Sequence, residues 1–168
     1  MRLARLRDDC ARVLDAVTLP RPFTLDRFCE LIARRRGRAL YLHPLPIRDL
    51  GGDLPCGAWL GTDAADHVFF AASTSRLHQQ HIVLHEIAHM LCGHASRGDV
   101  PTELLMPDLD PAMIRMALRR GGYSDRQEQE AEMVACLIAE RAETAQPATM
   151  NGVVSQLLQM TTRYEGRG

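Results

Sequence analysis

The chain has 168 residues, of which 46% are hydrophobic and 24% charged. This composition is typical of one globular domain that buries its own core. The apolar runs are too short to span a bilayer, and the charged N-terminus lacks the apolar block of a secretory signal. The five cysteines include no C-x-x-C pair. We therefore expect a cytoplasmic protein with buried free thiols, and neither a membrane protein nor a disulfide-rich secreted domain.

The net charge of −1 hides an uneven distribution. Residues 1–38 contain ten arginines and five acidic residues, a balance of +5, which leaves −6 for the rest of the chain. A basic N-terminal part could contact nucleic acid or an acidic partner. A solvated helix face explains the arginines more simply, so we do not expect direct nucleic-acid binding.

The first part of the chain is predicted to form two helices and a strand. Apolar residues recur at helical spacing over 2–17. Thr24 is a suitable N-cap for a second helix, which we expect to continue to Arg36 and end at Gly37. A strand is then predicted over 39–43, because prolines follow it.

The middle of the chain is predicted to form two more strands and a helix. The strands cover 56–60 and 67–71, with a turn between them. The cluster Ser73-Thr74-Ser75 is suited to cap a helix that continues to about Cys92, where Gly93 provides a stop.

The last part is predicted to be helical. A short helix starts at Asp110 and ends near Arg120, Ser124 caps a long helix to about Thr144, and an amphipathic helix covers 148–162. The order of elements predicts an α+β fold in which a three-stranded sheet packs with about six helices. We expect a single domain over 1–168, made of an N-terminal helical part, a small sheet, catalytic helices and a C-terminal helix (1–36, 37–72, 73–145 and 146–168).

The motif His85-Glu86-Ile87-Ala88-His89 predicts a metal site on a helix. Histidines four residues apart point the same way, so their imidazoles can take two adjacent positions around a tetrahedral zinc ion. Glu86 lies about 100° round the helix from His85. It can reach a water held on the metal and act as general base toward it.

A third protein ligand must come from elsewhere in the chain. The pattern H-E-x-x-H-x-x-G-x-x-H fails here, because Cys92 and Ala95 occupy its later positions. Glu128 on the long helix is the preferred candidate, with Glu132 on the same face bonded to an imidazole nitrogen. Glu130 points almost oppositely and is the alternative ligand.

Other polar residues near these motifs receive smaller roles. His78 and His81 continue the histidine face of the helix and could be additional ligands, but they are better suited to rim or supporting positions. His94, Tyr123 and Arg126 are weak candidates for stabilising an oxyanion. The histidines at 43 and 67 fall in predicted strands and have no evident partner.

Three stretches of the chain, within about residues 25–140, resemble the ImmA/IrrE family of metallopeptidases. LIARRRGRALYLHPLP is similar to the family's helix-glycine-strand opening. HVFFAASTSRLHQQHIVLHEIAHMLCGH leads through a strand and a cap into the histidine-glutamate helix, which in the family is followed by Gly-His. EQEAEMVACLIAE is similar to the family's E-x-x-A-N/D helix. The chain departs from the family in having Glu132 where Asn or Asp is usual, and Glu140-Arg141 where Leu-Met-Pro is frequent.

The resemblance implies a zincin-like metallopeptidase domain. His85, His89 and Glu128 would bind zinc, with manganese not excluded, and Glu86 would be the catalytic residue. The usual substrate in the family is a helix-turn-helix transcriptional repressor encoded nearby. One alternative is a non-catalytic metal-binding module, or a toxin–antitoxin component, that acts by protein contact. A DNA-binding regulator is a further alternative, but a helix-turn-helix unit needs successive helices where this chain continues into a strand.

Overall fold

The computed structural model describes residues 2–45, 56–95 and 122–144. These ranges contain four helices and three strands: α1 (Arg2–Asp15), α2 (Leu25–Arg36), β1 (Ala39–Leu45), β2 (Gly57–Gly61), β3 (Ala65–Ala71), α3 (Arg76–Leu91) and α4 (Asp125–Thr144). The predicted α+β class is confirmed. The helices predicted over 110–120 and 148–162 lie outside the described residues.

The helix boundaries follow the capping signals in the sequence. Thr24 Oγ1 accepts a hydrogen bond from the Arg27 amide, and Gly37 is the C-cap of α2. Ser75 caps α3 in the same way, through the His78 amide. Ser124 and Gln127 form a reciprocal pair at the start of α4. These side chains satisfy amides that have no partner within the helix, and so determine where each helix begins.

The three strands form a mixed sheet in the order β1-β3-β2. β1 is parallel to β3, and β2 is antiparallel to β3. The prediction that the first strand ends at His43 is wrong, because the strand continues through Pro44 to Leu45. Among the described strands β1 lies at an edge, where a proline without an N–H can face away from its neighbour.

One hydrophobic cluster draws side chains from all four helices and from the sheet. α3 contacts β2 and β3 on one side and α4 on the other, while α1 packs on α4 and α2 on β1. The helix that carries residues 85–89 is therefore held between the sheet and α4. This arrangement fixes where its side chains point.

Several N-terminal arginines are paired within the fold. Asp66 on β3 is fully buried and accepts hydrogen bonds from Arg36 and from the Trp59 indole. Arg38 Nε lies 3.8 Å from the same carboxylate and its guanidinium also donates to a backbone carbonyl. Arg7 forms an ion pair with Glu140 on α4. Part of the excess positive charge therefore serves to connect elements of the structure.

All five cysteines are free thiols. Cys10 and Cys29 are buried, as expected, but Cys56 is exposed. The prediction of buried thiols is thus wrong for Cys56, which lies just before β2. Within the described ranges, no helix is both long enough and apolar enough to cross a bilayer.

Candidate metal centre

Helix α3 presents His85 and His89 one turn apart toward α4. His89 is fully buried and the His85 side chain is 19% exposed. The surrounding residues of α3 are apolar and buried, including Ile87 and Ala88. Two imidazoles are thus held in a largely dry environment, where bare ring nitrogens are costly unless they find partners.

Glu128 on α4 completes a group of three ligand atoms. His85 Nε2 lies 3.0 Å from Glu128 Oε2 and 3.1 Å from His89 Nε2. The distance from His89 Nε2 to Glu128 Oε2 is 3.6 Å. In a tetrahedral zinc site with bonds of about 2.0–2.1 Å, ligand atoms lie about 3.3 Å apart. The group formed by His85, His89 and Glu128 can therefore hold a metal ion.

Glu132 supports His85 from the side opposite the group. Its Oε2 lies 3.3 Å from His85 Nδ1 and 3.2 Å from His81 Nε2. Burial disfavours the charged form of His85, but the carboxylates of Glu128 and Glu132 outweigh it and raise the pKa of His85 to about 9 in the absence of metal. Burial likewise opposes the ionised Glu132, yet hydrogen bonds from the two imidazoles hold its pKa well below the usual range. The longer glutamate side chain thus still reaches the imidazole.

The second imidazole is supported differently. His89 Nδ1 lies 2.8 Å from His94 Nδ1, and His94 Nε2 lies 3.1 Å from Glu130 Oε2. Arg126 donates to the other oxygen of Glu130 at 2.8 Å. The hydrogen bond from Arg126 is the main reason that the pKa of Glu130 is lowered, while burial acts in the opposite direction. Glu130 therefore belongs to this chain of contacts, and among the described residues Glu128 is the glutamate within reach of a shared ion.

Tyr123 covers the ring of His89. The two rings are stacked, with centroids 3.5 Å apart and planes inclined by 15°. His94 also lies near Tyr123, at a centroid distance of 5.9 Å. The sequence suggested an oxyanion-stabilising role for Tyr123, and for His94 a place at the end of the helix or the same role. It did not predict the contacts of either residue with His89.

Glu86 is 2% exposed and lies next to strand β2. A Cβ atom at Gly57 would come within 2.9 Å of Glu86 Oε1 and would overlap the Cγ2 methyl of Ile82. The strand can therefore approach α3 this closely only because residue 57 has no side chain. The negative charge of Glu86 also contributes, after the carboxylates of Glu128 and Glu132, to the raised pKa of His85.

The two strand histidines, for which the sequence suggested no partner, contact each other. His43 Nε2 lies 2.9 Å from His67 Nδ1, and His43 stacks on Phe69 at a centroid distance of 4.7 Å. Burial lowers the pKa of both imidazoles, and each therefore favours its neutral form. Both residues occur in predicted strands, but only the parallel register of β1 and β3 brings them together.

Comparisons with protein-family models, with curated proteins and with solved structures found no match to this chain.

Proposed function

We propose that the protein is a zinc-dependent endopeptidase of the ImmA/IrrE type, with a zincin-like fold. Its substrate would be a regulatory protein, and the preferred candidate is a helix-turn-helix transcriptional repressor. The observation that carries the proposal is the convergence of His85, His89 and Glu128 beside the buried carboxylate of Glu86.

The donor set favours zinc over the harder divalent cations. Two imidazole nitrogens and one carboxylate oxygen suit zinc, whereas calcium and magnesium prefer oxygen ligands. Three protein ligands leave a fourth position free for the reaction, as is usual in catalytic rather than structural zinc sites. Zinc held there would lower the pKa of a water molecule and polarise a peptide carbonyl. Manganese, which also accepts histidine and carboxylate, is the second metal to consider.

Glu86 is the proposed general base. In peptide hydrolysis it takes a proton from the attacking water and passes a proton to the leaving amine nitrogen. The burial of Glu86 supports this role, because a side chain packed inside the fold is held in position beside the metal ligands. A module acting by protein contact alone would have no need of this carboxylate next to the metal ligands.

Strand β2 offers a way to bind an extended peptide. It is an edge strand of the described sheet, and its first residue, Gly57, lies against Glu86. An extended chain can add to a sheet edge through main-chain hydrogen bonds. A peptide bound there would pass close to the proposed general base, which fits a substrate cleaved within an unfolded or loop segment.

The decisive experiment combines metal analysis with a cleavage assay. The protein is incubated with the products of the neighbouring genes, helix-turn-helix proteins first, and the products of cleavage are followed by mass spectrometry. We expect Glu86→Gln to retain stoichiometric zinc and to lower the cleavage rate at least about 100-fold. His85→Ala and Glu128→Ala should lose both the metal and the activity. Glu143→Gln is the matched control, because Glu143 lies on α4 like Glu128 but outside the metal group. This variant should behave as the wild type.

Each component of the proposal can fail separately. Cleavage by Glu86→Gln at the wild-type rate would rule out the proposed base. Stoichiometric zinc without cleavage of any candidate repressor would instead favour a non-catalytic metal-binding module. Activity with manganese and none with zinc would change the assigned metal but leave the roles of the residues intact.

A further inference from the structure

The two histidines of the metal group are supported by different partners. His85 contacts a carboxylate directly, because Glu132 Oε2 lies 3.3 Å from its Nδ1. His89 contacts another imidazole instead, with His94 Nδ1 2.8 Å from its own Nδ1. The carboxylate on this second side, Glu130, lies beyond His94. The second arrangement therefore inserts one histidine between ligand and carboxylate.

The identity of the atoms determines where the protons lie in this chain of contacts. An ionised carboxylate only accepts hydrogen bonds, so the Glu130 contact requires the proton of a neutral His94 to be on Nε2. Nδ1 of His94 is then a bare acceptor, and the short contact to it requires a proton on Nδ1 of His89. The lone pair of His89 is consequently left on Nε2. That atom faces His85 Nε2 and Glu128 Oε2.

Further contacts hold the members of this chain of contacts in place. Gly93 has a φ of 71°, which lets the backbone turn back after α3, and the His94 amide donates to the His89 carbonyl at 3.1 Å. His94 is 9% exposed. Arg126 holds the far oxygen of Glu130 from the preceding turn of α4, and Tyr123 stacks on the His89 ring. The ring of His89 is thereby restrained in position as well as in hydrogen bonding.

We propose that His94 is a positioning residue that transmits the hydrogen-bond preference of Glu130 to His89 and holds the metal-binding lone pair of His89 on Nε2. Supporting partners of this kind typically change metal affinity about 10- to 100-fold when they are removed. The inference rests on the metal-binding part of the proposed function. It does not depend on peptide cleavage.

The first test is the position of the proton in the metal-free protein. Long-range proton–nitrogen NMR on protein labelled with nitrogen-15 histidine, at about pH 8 and above the ordinary titration range of imidazole, distinguishes the two neutral forms of the His89 ring. We expect the proton of His89 on Nδ1 in the wild type, and a mixture of both forms in Glu130→Gln, whose amide can either donate or accept. A wild-type His89 with its proton on Nε2 would overturn the proposal, whether or not the protein cleaves anything.

The second test is zinc affinity, measured by competition with a chromophoric chelator. His94→Phe keeps a ring but removes the acceptor, and we expect zinc binding about 10- to 100-fold weaker. In His94→Asn the amide oxygen takes the place of Nδ1, so the variant should recover most of the affinity. A residue with a merely structural role would not distinguish these two variants in this way. Equal affinities in His94→Phe and wild type would refute the proposal, as would equal losses in both variants.

Matched controls separate this inference from the proposed function. Glu143→Gln removes a carboxylate from α4 outside the contact chain and should leave zinc affinity unchanged. One outcome is that zinc binds more tightly to the wild type and to His94→Asn than to His94→Phe while no repressor is cleaved. In that case the peptidase proposal fails and the role of His94 stands. Should the wild type bind no zinc, the proposed metal site fails, and the NMR measurement still decides the proton position on His89.

Discussion

The close approach of strand β2 to helix α3 makes Gly57→Ala an informative substitution. The added Cβ would overlap the Cγ2 methyl of Ile82 and lie 2.9 Å from Glu86 Oε1 and 3.3 Å from the Phe69 carbonyl oxygen. The Glu86 carboxylate is the end of a flexible side chain and can move. Ile82 cannot turn away as easily, because a β-branched side chain in a helix has essentially one favoured rotamer. The strand and the helix must therefore separate.

We expect Gly57→Ala to lower the free energy of unfolding by about 1–3 kcal/mol, the usual cost of overpacking a core. Replacing a glycine also restricts the unfolded chain, which offsets about 0.4–1 kcal/mol of this loss. A net loss of about 1.5 kcal/mol corresponds to roughly a tenfold change in the ratio of folded to unfolded protein. The displaced Glu86 carboxylate should in addition lower any hydrolytic activity by more than the loss of stability explains.

Urea unfolding followed by the fluorescence of Trp59, the single tryptophan, measures the stability change. Trp59 lies on β2 and is 4% exposed, so its emission reports on the affected strand. Gly122→Ala is the control, because a Cβ added at Gly122 meets nothing within 4 Å. If Gly57→Ala is as stable as Gly122→Ala, then β2 does not pack on α3 as described, and the positioning of Glu86 must be reconsidered.

Two further predictions concern the buried charge and the thiols. Asp66→Asn should destabilise the protein by about 3 kcal/mol in urea unfolding, because two arginines then face a buried group without its charge. The exposed Asp63→Asn should change little, and equal stabilities would contradict this account of Asp66. In the native protein a thiol reagent at neutral pH should label the exposed Cys56 first, whereas burial raises the pKa of the Cys29 thiol to about 12 and protects it. Mass spectrometry of the labelled peptides gives the order of labelling, and labelling of Cys29 before Cys56 would contradict this prediction.

The local features of this protein could largely be predicted from the sequence. The caps at Thr24 and Ser124 were predicted at the residues where the structure has them, and the cap of α3 is Ser75, within the predicted cluster of residues 73–75. Such signals can be read locally because a cap depends on neighbours within three or four positions. The four-residue spacing of His85 and His89 likewise implied that both face one way, since helix geometry alone determines it. Where local signals conflicted with tertiary context they failed, as at Pro44, which a strand accommodates at the sheet edge.

Contacts between elements were decided only by the tertiary structure. The sequence left Glu128 and Glu130 as competing ligands, because the rotation of α4 against α3 depends on how the whole core packs. The packing brings Glu128 to the imidazoles of the metal group and Glu130 to His94. The pairing of His43 with a histidine 24 residues further along required the register of two strands, which no spacing in one segment encodes. Periodicity states which side chains share a face, whereas distances across elements follow from the packing of faces that lie far apart in the chain.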